Sequence, residues 1–148
     1  MSKYSNLWME IGDSLCEFHK VSYSSFLSQE SSNGMHVRLK AYYLLLLEII
    51  VYEQRQKYSN PYVPLIGIDA LRHKVLQKTK WYLDRVESLS LEQIIFVLLE
   101  DLHPDNLSAE ARAALSVLKL PAVYETAPLP LQGGWILGKG ERFLKSEG

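Results

Sequence analysis

The sequence predicts an all-α, single-domain bundle of about five helices with an irregular Pro/Gly-rich C-terminal arm. Three observations lead there. Apolar residues recur at steps of three and four along several stretches, the signature of amphipathic helices. Helix-start signals precede those stretches, and proline closes them. After residue 120 the composition changes: Pro121, Pro128 and Pro130 are followed by Gly133, Gly134, Gly138 and Gly140. A chain of 148 residues that is 47% apolar is long enough to bury a core and too apolar for wholesale disorder.

A first helix is predicted over residues 6–19. Leu7, Trp8, Ile11, Leu15 and Phe18 share one face, and Glu10, Asp13 and Glu17 lie on the other side. The stretch 22–34 is Ser-rich and ends in Asn33-Gly34, a turn signal, with room for one short helical turn around Phe26 and Leu27. A second helix should run from about Met35 to Lys57. From Ala41 to Tyr52 it is apolar almost all round, with Glu48 inside the run, so it is expected to be central and covered by neighbours. That window is far shorter than the roughly 20 residues a membrane span needs. Glu53 and Lys57 stand i,i+4 in the favoured order, worth about 0.2–0.5 kcal/mol if they pair. Asn60-Pro61-Tyr62-Val63-Pro64 cannot continue the helix and reads as a rigid loop.

A third helix is predicted over 69–87, with Asp69 as N-cap and Leu71, Val75, Lys78, Tyr82 and Val86 at helical spacing. Arg72, Lys74, Lys78, Lys80 and Arg85 make it the most basic one. The fourth start is the clearest local signal: Ser90 followed by Gln93 is a capping box, and Leu89 and Ile94 can form the hydrophobic staple. This helix carries Ile94, Ile95, Phe96, Val97, Leu98, Leu99 and Leu102 before His103-Pro104 stops it, and it is expected to be central as well. Ser108 caps a fifth helix over 109–118. Residues 1–120 thus form the helical domain, and 121–148 an arm packed on it, as a small hairpin or with one last helical turn. Tyr124, Leu129, Leu131, Trp135, Ile136, Leu137 and Phe143 give that arm enough apolar surface to dock.

Sixteen Lys+Arg against seventeen Asp+Glu give a net charge of −1, which argues against a chain whose task is to coat nucleic acid. One cysteine excludes an intrachain disulfide. Glu10 and Asp13 interrupt any N-terminal export signal, so a cytoplasmic location is expected. Charge is uneven along the chain. Residues 90–110 carry Glu92, Glu100, Asp101, Asp105 and Glu110 and no Lys or Arg. Glu92 and Glu110 sit in first turns, where the helix dipole favours carboxylates. Glu100 and Asp101 sit in a last turn, where it disfavours them by roughly 0.3–1 kcal/mol each unless they are solvated or paired with the basic helix. A local rule broken this way is a place to look for function.

The chemical motifs are weak. Gly133-Gly134-Trp135-Ile136-Leu137-Gly138-Lys139 matches the first seven positions of a P-loop, but Gly140 stands where the magnesium-holding Ser or Thr belongs. Cys16 and His19 are i,i+3 neighbours without an orienting acid or oxyanion donor. His19, His36, His73 and His103 form no metal-ligand spacing, so neither a metal nor another cofactor is expected. His103-Pro104-Asp105, in a loop between two helices, resembles the tripeptide of J-domain co-chaperones. In that family the preceding helix is basic, whereas here it is acidic. The basic helix with Trp81 and Tyr82 offers an alternative, contact with nucleic acid or a phage regulatory role.

With no catalytic constellation, the expected function is non-catalytic protein binding. Tyr58, Tyr62, Tyr124 and Trp135 lie in or beside loops and combine apolar area with a polar tip, as interface residues do. In size, near-neutral charge and lack of catalytic groups, the chain resembles small bacterial immunity proteins of contact-dependent inhibition systems, and phage-associated enterobacterial proteins of similar style. That resemblance implies occlusion of a toxin's cleft. A nuclease toxin presents a basic cleft, which would suit Glu92, Glu100, Asp101, Asp105 and Glu110, with Trp135 as the apolar contact.

Overall fold

The computed structural model of the chain describes residues 2–28, 32–118 and 129–145, and all regular structure among them is helical. The order is α1 (Lys3–His19), α2 (Tyr23–Leu27), α3 (Ser32–Tyr58), α4 (Ile68–Thr79), α5 (Leu83–Glu87), α6 (Leu91–Val97), a 3-10 turn (Pro104–Asn106), α7 (Ala109–Ser116) and α8 (Glu141–Lys145). The all-α bundle read from the sequence is the fold observed. No described helix is long and apolar enough to cross a membrane.

Helix α3 is the axis. Its nearly unbroken apolar run leaves every residue from 44 to 51 buried, and α1, α2, α4 and α8 all pack on it. The Ser2 hydroxyl accepts from the Ser5 amide at 3.1 Å and starts α1, which turns Leu7, Ile11 and Leu15 fully inward. Helix α2 plugs one end with Phe26, whose ring meets Trp8 at 5.5 Å. Arg38, itself buried, donates to the Phe26 and Ser28 carbonyls at 2.7 and 3.1 Å and so satisfies the end of α2. On the opposite side, the Gln54 amide nitrogen joins α3 to α4 through His73 Nδ1 (2.8 Å) and Gln77 Oε1 (2.9 Å).

Three boundaries differ from the sequence expectation. Asn33-Gly34 is not a turn but the first turn of α3, and Gly34 is there for space: a Cβ on it would run into the Ser25 carbonyl. The basic helix expected over 69–87 begins after Gly67, not at an Asp69 cap, and breaks into α4 and α5. At the break the Thr79 hydroxyl donates to the Val75 carbonyl (2.9 Å) and accepts from the Trp81 amide (3.2 Å). A side chain competing for backbone groups in this way ends the helix, and Lys80 turns left-handed with φ 60°. The largest correction concerns the fourth helix. Its capping box is present, with Ser90 and Gln93 bonded reciprocally at 3.2 and 2.8 Å. However, α6 ends at Val97, and it is peripheral. Leu91, Ile94, Leu98 and Leu102 face inward, while Phe96 is 76% and Leu99 57% exposed. An apolar residue outside is common enough that an all-apolar run does not prove central burial.

The described part of the arm, 129–145, contains no strand and closes with α8, one last helical turn. The stretch 119–128, which includes Tyr124, Pro121 and Pro128, lies outside the described residues.

Gly34→Ala should destabilise the fold by about 1–3 kcal/mol, toward the upper end because the obstacle is backbone. Asn33→Ala, exposed and one residue away, should change stability by no more than about 0.5 kcal/mol. Denaturant titration of both variants checks the contrast.

Candidate functional site

The five acidic residues read from 90–110 divide by what they touch. Glu92, in the first turn of α6, accepts from the Leu131 amide at 3.2 Å and so tethers the arm. Asp101 receives the Lys78 ammonium at 2.8 Å, and that bond is the main reason the Lys78 pKa is raised. Glu100 is 3.9 Å from the same ammonium, but its side chain is 93% exposed. Asp105 lies 3.4 Å from His103 in the 3-10 turn, and Glu110 stands exposed in the first turn of α7. Because α6 ends at Val97, neither Glu100 nor Asp101 lies in its last turn as the sequence suggested; Asp101 is paired with Lys78, and Glu100 is left largely to solvent.

Trp135 is corrected outright. It was expected at a partner surface, but it is 6% exposed and packed inside. Its indole N–H donates to Glu48 Oε1 at 3.0 Å. The Gly138 amide reaches the same oxygen at 2.7 Å, and the Gly140 amide reaches Oε2 at 3.2 Å. The glycine-rich segment that resembles a P-loop thus turns its amides onto a carboxylate of its own chain. Burial pushes the Glu48 carboxyl above its ordinary range, and the three donors oppose that shift. Two turns earlier on α3, buried Lys40 mirrors the arrangement. Its ammonium donates to the Gln132 and Gly133 carbonyls at 3.1 and 2.9 Å and lies 3.0 Å from His19 Nε2. Sequence reasoning noted Glu48 inside an apolar run but gave it no role. The available signal was that lone carboxylate together with a distant glycine-rich segment offering free amides.

Other sequence candidates acquire local roles. Burial, with a smaller push from Asp13, raises the Cys16 thiol pKa, and His19 is committed to Lys40, so the pair is not poised as thiolate and base. His103 Nδ1 accepts from the Asp105 amide at 3.2 Å and caps the 3-10 turn. The helices on either side of that tripeptide face different partners, α6 against α4 and α7 against α1. The basic residues of α4 and α5 are largely engaged: Arg72 with Asp69, Lys78 with Asp101, and Arg85 stacked 3.9 Å from the Trp81 ring centre. Of the loop aromatics, Tyr62 is 94% exposed and Tyr58 about half.

Among the exposed apolar side chains, which also include Tyr62, Ile66, Tyr82, Val117 and Ile136, two are close in sequence at the end of α6. Phe96, on α6, and Leu99, two residues past its end, are both exposed, and with the exposed Glu100 next in the chain they make a short ridge. Past the end of α6 the Leu98 amide bonds to the Ile94 carbonyl and the Leu102 amide to the Leu98 carbonyl, on either side of Leu99. No known protein family, curated protein or solved structure matches the chain.

Glu48→Leu leaves three donors without their acceptor, at about 1–3 kcal/mol for each one that stays buried. In a Trp8→Phe, Trp81→Phe background the Trp135 emission should shift to the red as the arm lifts. The milder Glu48→Gln separates the charge from the shape. The fold raises the Glu48 pKa, so it holds this proton more tightly than the unfolded chain does. Its contribution is full below about 4.5 and is lost as pH rises through the folded-state value. Denaturant titrations across that range should show wild type losing stability relative to Glu48→Gln as pH rises.

Proposed function

We propose that this chain is a non-catalytic protein-binding protein that neutralises a toxin, as an immunity protein does, by docking on it through the Phe96–Leu99 ridge. The observation that carries this reading is the ridge itself: two large apolar side chains left exposed, with an exposed carboxylate following them in the chain. Protein interfaces have that anatomy, an apolar centre inside a polar rim. Rim carboxylates speed association with a basic surface and select against acidic ones, which fits a nuclease toxin whose cleft is basic. Glu100, Asp105 and Glu110 are exposed for such a role. Glu92, also exposed, already holds the Leu131 amide, Asp101 holds Lys78, and Trp135 supports the arm instead of meeting the partner.

The nucleic-acid reading has less support, because Arg72, Lys78 and Arg85 already make contacts within the chain. The co-chaperone reading rests on a tripeptide whose histidine here caps a turn.

The test is protection. The protein, co-expressed with the toxic product of the reading frame adjoining its own, should restore growth and co-purify with that product. Phe96→Asp should weaken the complex by about 100-fold or more, the scale of an interface hot spot. Glu100→Lys should mainly slow association, and Val117→Asp, at the exposed end of α7, should leave binding unchanged. Failure to protect against any neighbouring toxic product, or a Phe96→Asp variant that protects fully, overturns the proposal.

A further inference from the structure

A second feature lies where α3, α4 and the 3-10 turn converge. There a polar cavity of about 180 Å³ is lined by Glu53, Gln54, Lys57, Lys74, Asp101 and Asn106, with Ile50 and Leu107 as its apolar walls. The Glu53–Lys57 pair expected from helical spacing is not closed. Neither Lys57 nor Lys74 comes within 4.0 Å of the Glu53 carboxylate, although both act on it through space. Glu53 is half-buried, and burial raises its pKa against the pull of the two lysines. A partly desolvated carboxylate and two ammonium groups therefore surround a space that none of them closes.

The charge pattern limits what can fill it. A simple anion would suit the lysines but would meet Glu53 and Asp101. A simple cation would suit the carboxylates but would meet the lysines. A molecule carrying both signs satisfies both sets. At about 30 Å³ per water of liquid volume, the cavity holds the equivalent of roughly six waters, or a ligand of about six to eight non-hydrogen atoms. Part of its wall is already fixed. Gln54 is only 4% exposed and is tied to His73 and Gln77, Asn106 Nδ2 donates to the Glu100 carbonyl, and Asp101 is held by Lys78. A site whose walls are set before the ligand arrives loses less on ordering.

We infer that this cavity binds a small zwitterion of the free α-amino-acid class, its ammonium on Glu53 and Asp101 and its carboxylate on Lys57 and Lys74. The short apolar walls select a small side chain. This inference stands apart from the docking ridge, which needs no ligand.

The full chain with methyl labels on isoleucine and leucine tests it. Glycine, L-alanine, L-serine and L-aspartate are titrated to about 20 mM, with acetate and methylammonium as singly charged controls. At least one amino acid should shift the Ile50 and Leu107 methyl signals with a dissociation constant on the order of 1 mM, within reach of a ligand this small. Glu53→Gln and Lys74→Met should each weaken binding at least about tenfold. Glu53→Gln removes a carboxylate that burial disfavours, so this variant keeps the fold, and its unfolding midpoint should match or exceed that of wild type. No shift at these methyls with any amino acid would mean that the cavity holds only water and would overturn the inference. Equal binding of acetate or methylammonium would overturn it too.

Discussion

The burial of one carboxylate organises this molecule. Glu48 sits on the face of α3 that every other element would otherwise cover with hydrocarbon, at 1% exposure. A carboxylate there is costly unless its oxygens are met by donors. The donors come from the far end of the chain: the Trp135 indole and the Gly138 and Gly140 amides. Lys40 poses the opposite problem eight residues earlier, about 12 Å along the helix axis, and is answered by carbonyls of the same arm. The arm thus presents acceptors to the cation and donors to the anion, and only one orientation along α3 matches both. Apolar contacts alone would hold the arm against the core without fixing its direction. The glycines follow from the same constraint, because a Cβ on Gly140 would stand 2.7 Å from Leu7 Cδ1 and 2.9 Å from Glu48 Oε2.

How much of this was legible in the sequence depends on the range of the interaction. Features decided within one helical turn could be read: the capping box of Ser90 and Gln93, the Ser108 cap, the apolar face of α1 and the all-round apolarity of α3. Features decided by partners far along the chain could not. Nothing local distinguishes the apolar residues of α6 that face inward from Phe96 and Leu99, since all of them alternate within a continuous greasy run. Thr79 reads as an ordinary helical residue until its hydroxyl is seen taking over backbone bonds. Asn33-Gly34 has the composition of a turn, yet its glycine serves the approach of two backbones. Trp135 lies in a proline- and glycine-rich segment that suggests a surface, and its burial depends on a carboxylate 87 residues away.

The acidic segment illustrates how a broken local rule is resolved. Because α6 stops at Val97, Glu100 and Asp101 lie beyond its last turn and escape most of its dipole, and the basic α4 nearby offers a further remedy. The remedy reaches only one of them in full: Lys78 bonds Asp101 and leaves Glu100 in solvent. An exposed Glu100 costs the fold little, because water screens it. Beside Phe96 and Leu99, however, it completes a patch in which apolar area and charge are adjacent. Single exposed apolar side chains need no explanation, but two close in the chain with a carboxylate following them form a unit that a partner can read.

The exposed ridge and the polar cavity are linked through two residues that line the cavity, Asp101 and Asn106. Asp101 lines the cavity and anchors Lys78, and Asn106 lines the cavity while its amide nitrogen holds the Glu100 carbonyl at 2.5 Å. The backbone that positions the exposed Glu100 is therefore fixed by side chains whose other faces look into the cavity. Any change that loosens Asp101 or Asn106 acts on both features together, whereas a change at Phe96 or at Glu53 acts on one alone. This is why Phe96 and Glu53, and not the shared residues, separate the two readings: a substitution at Asp101 could lower partner binding by moving the ridge, by altering the cavity, or by releasing Lys78, and the three effects would be indistinguishable in a single measurement.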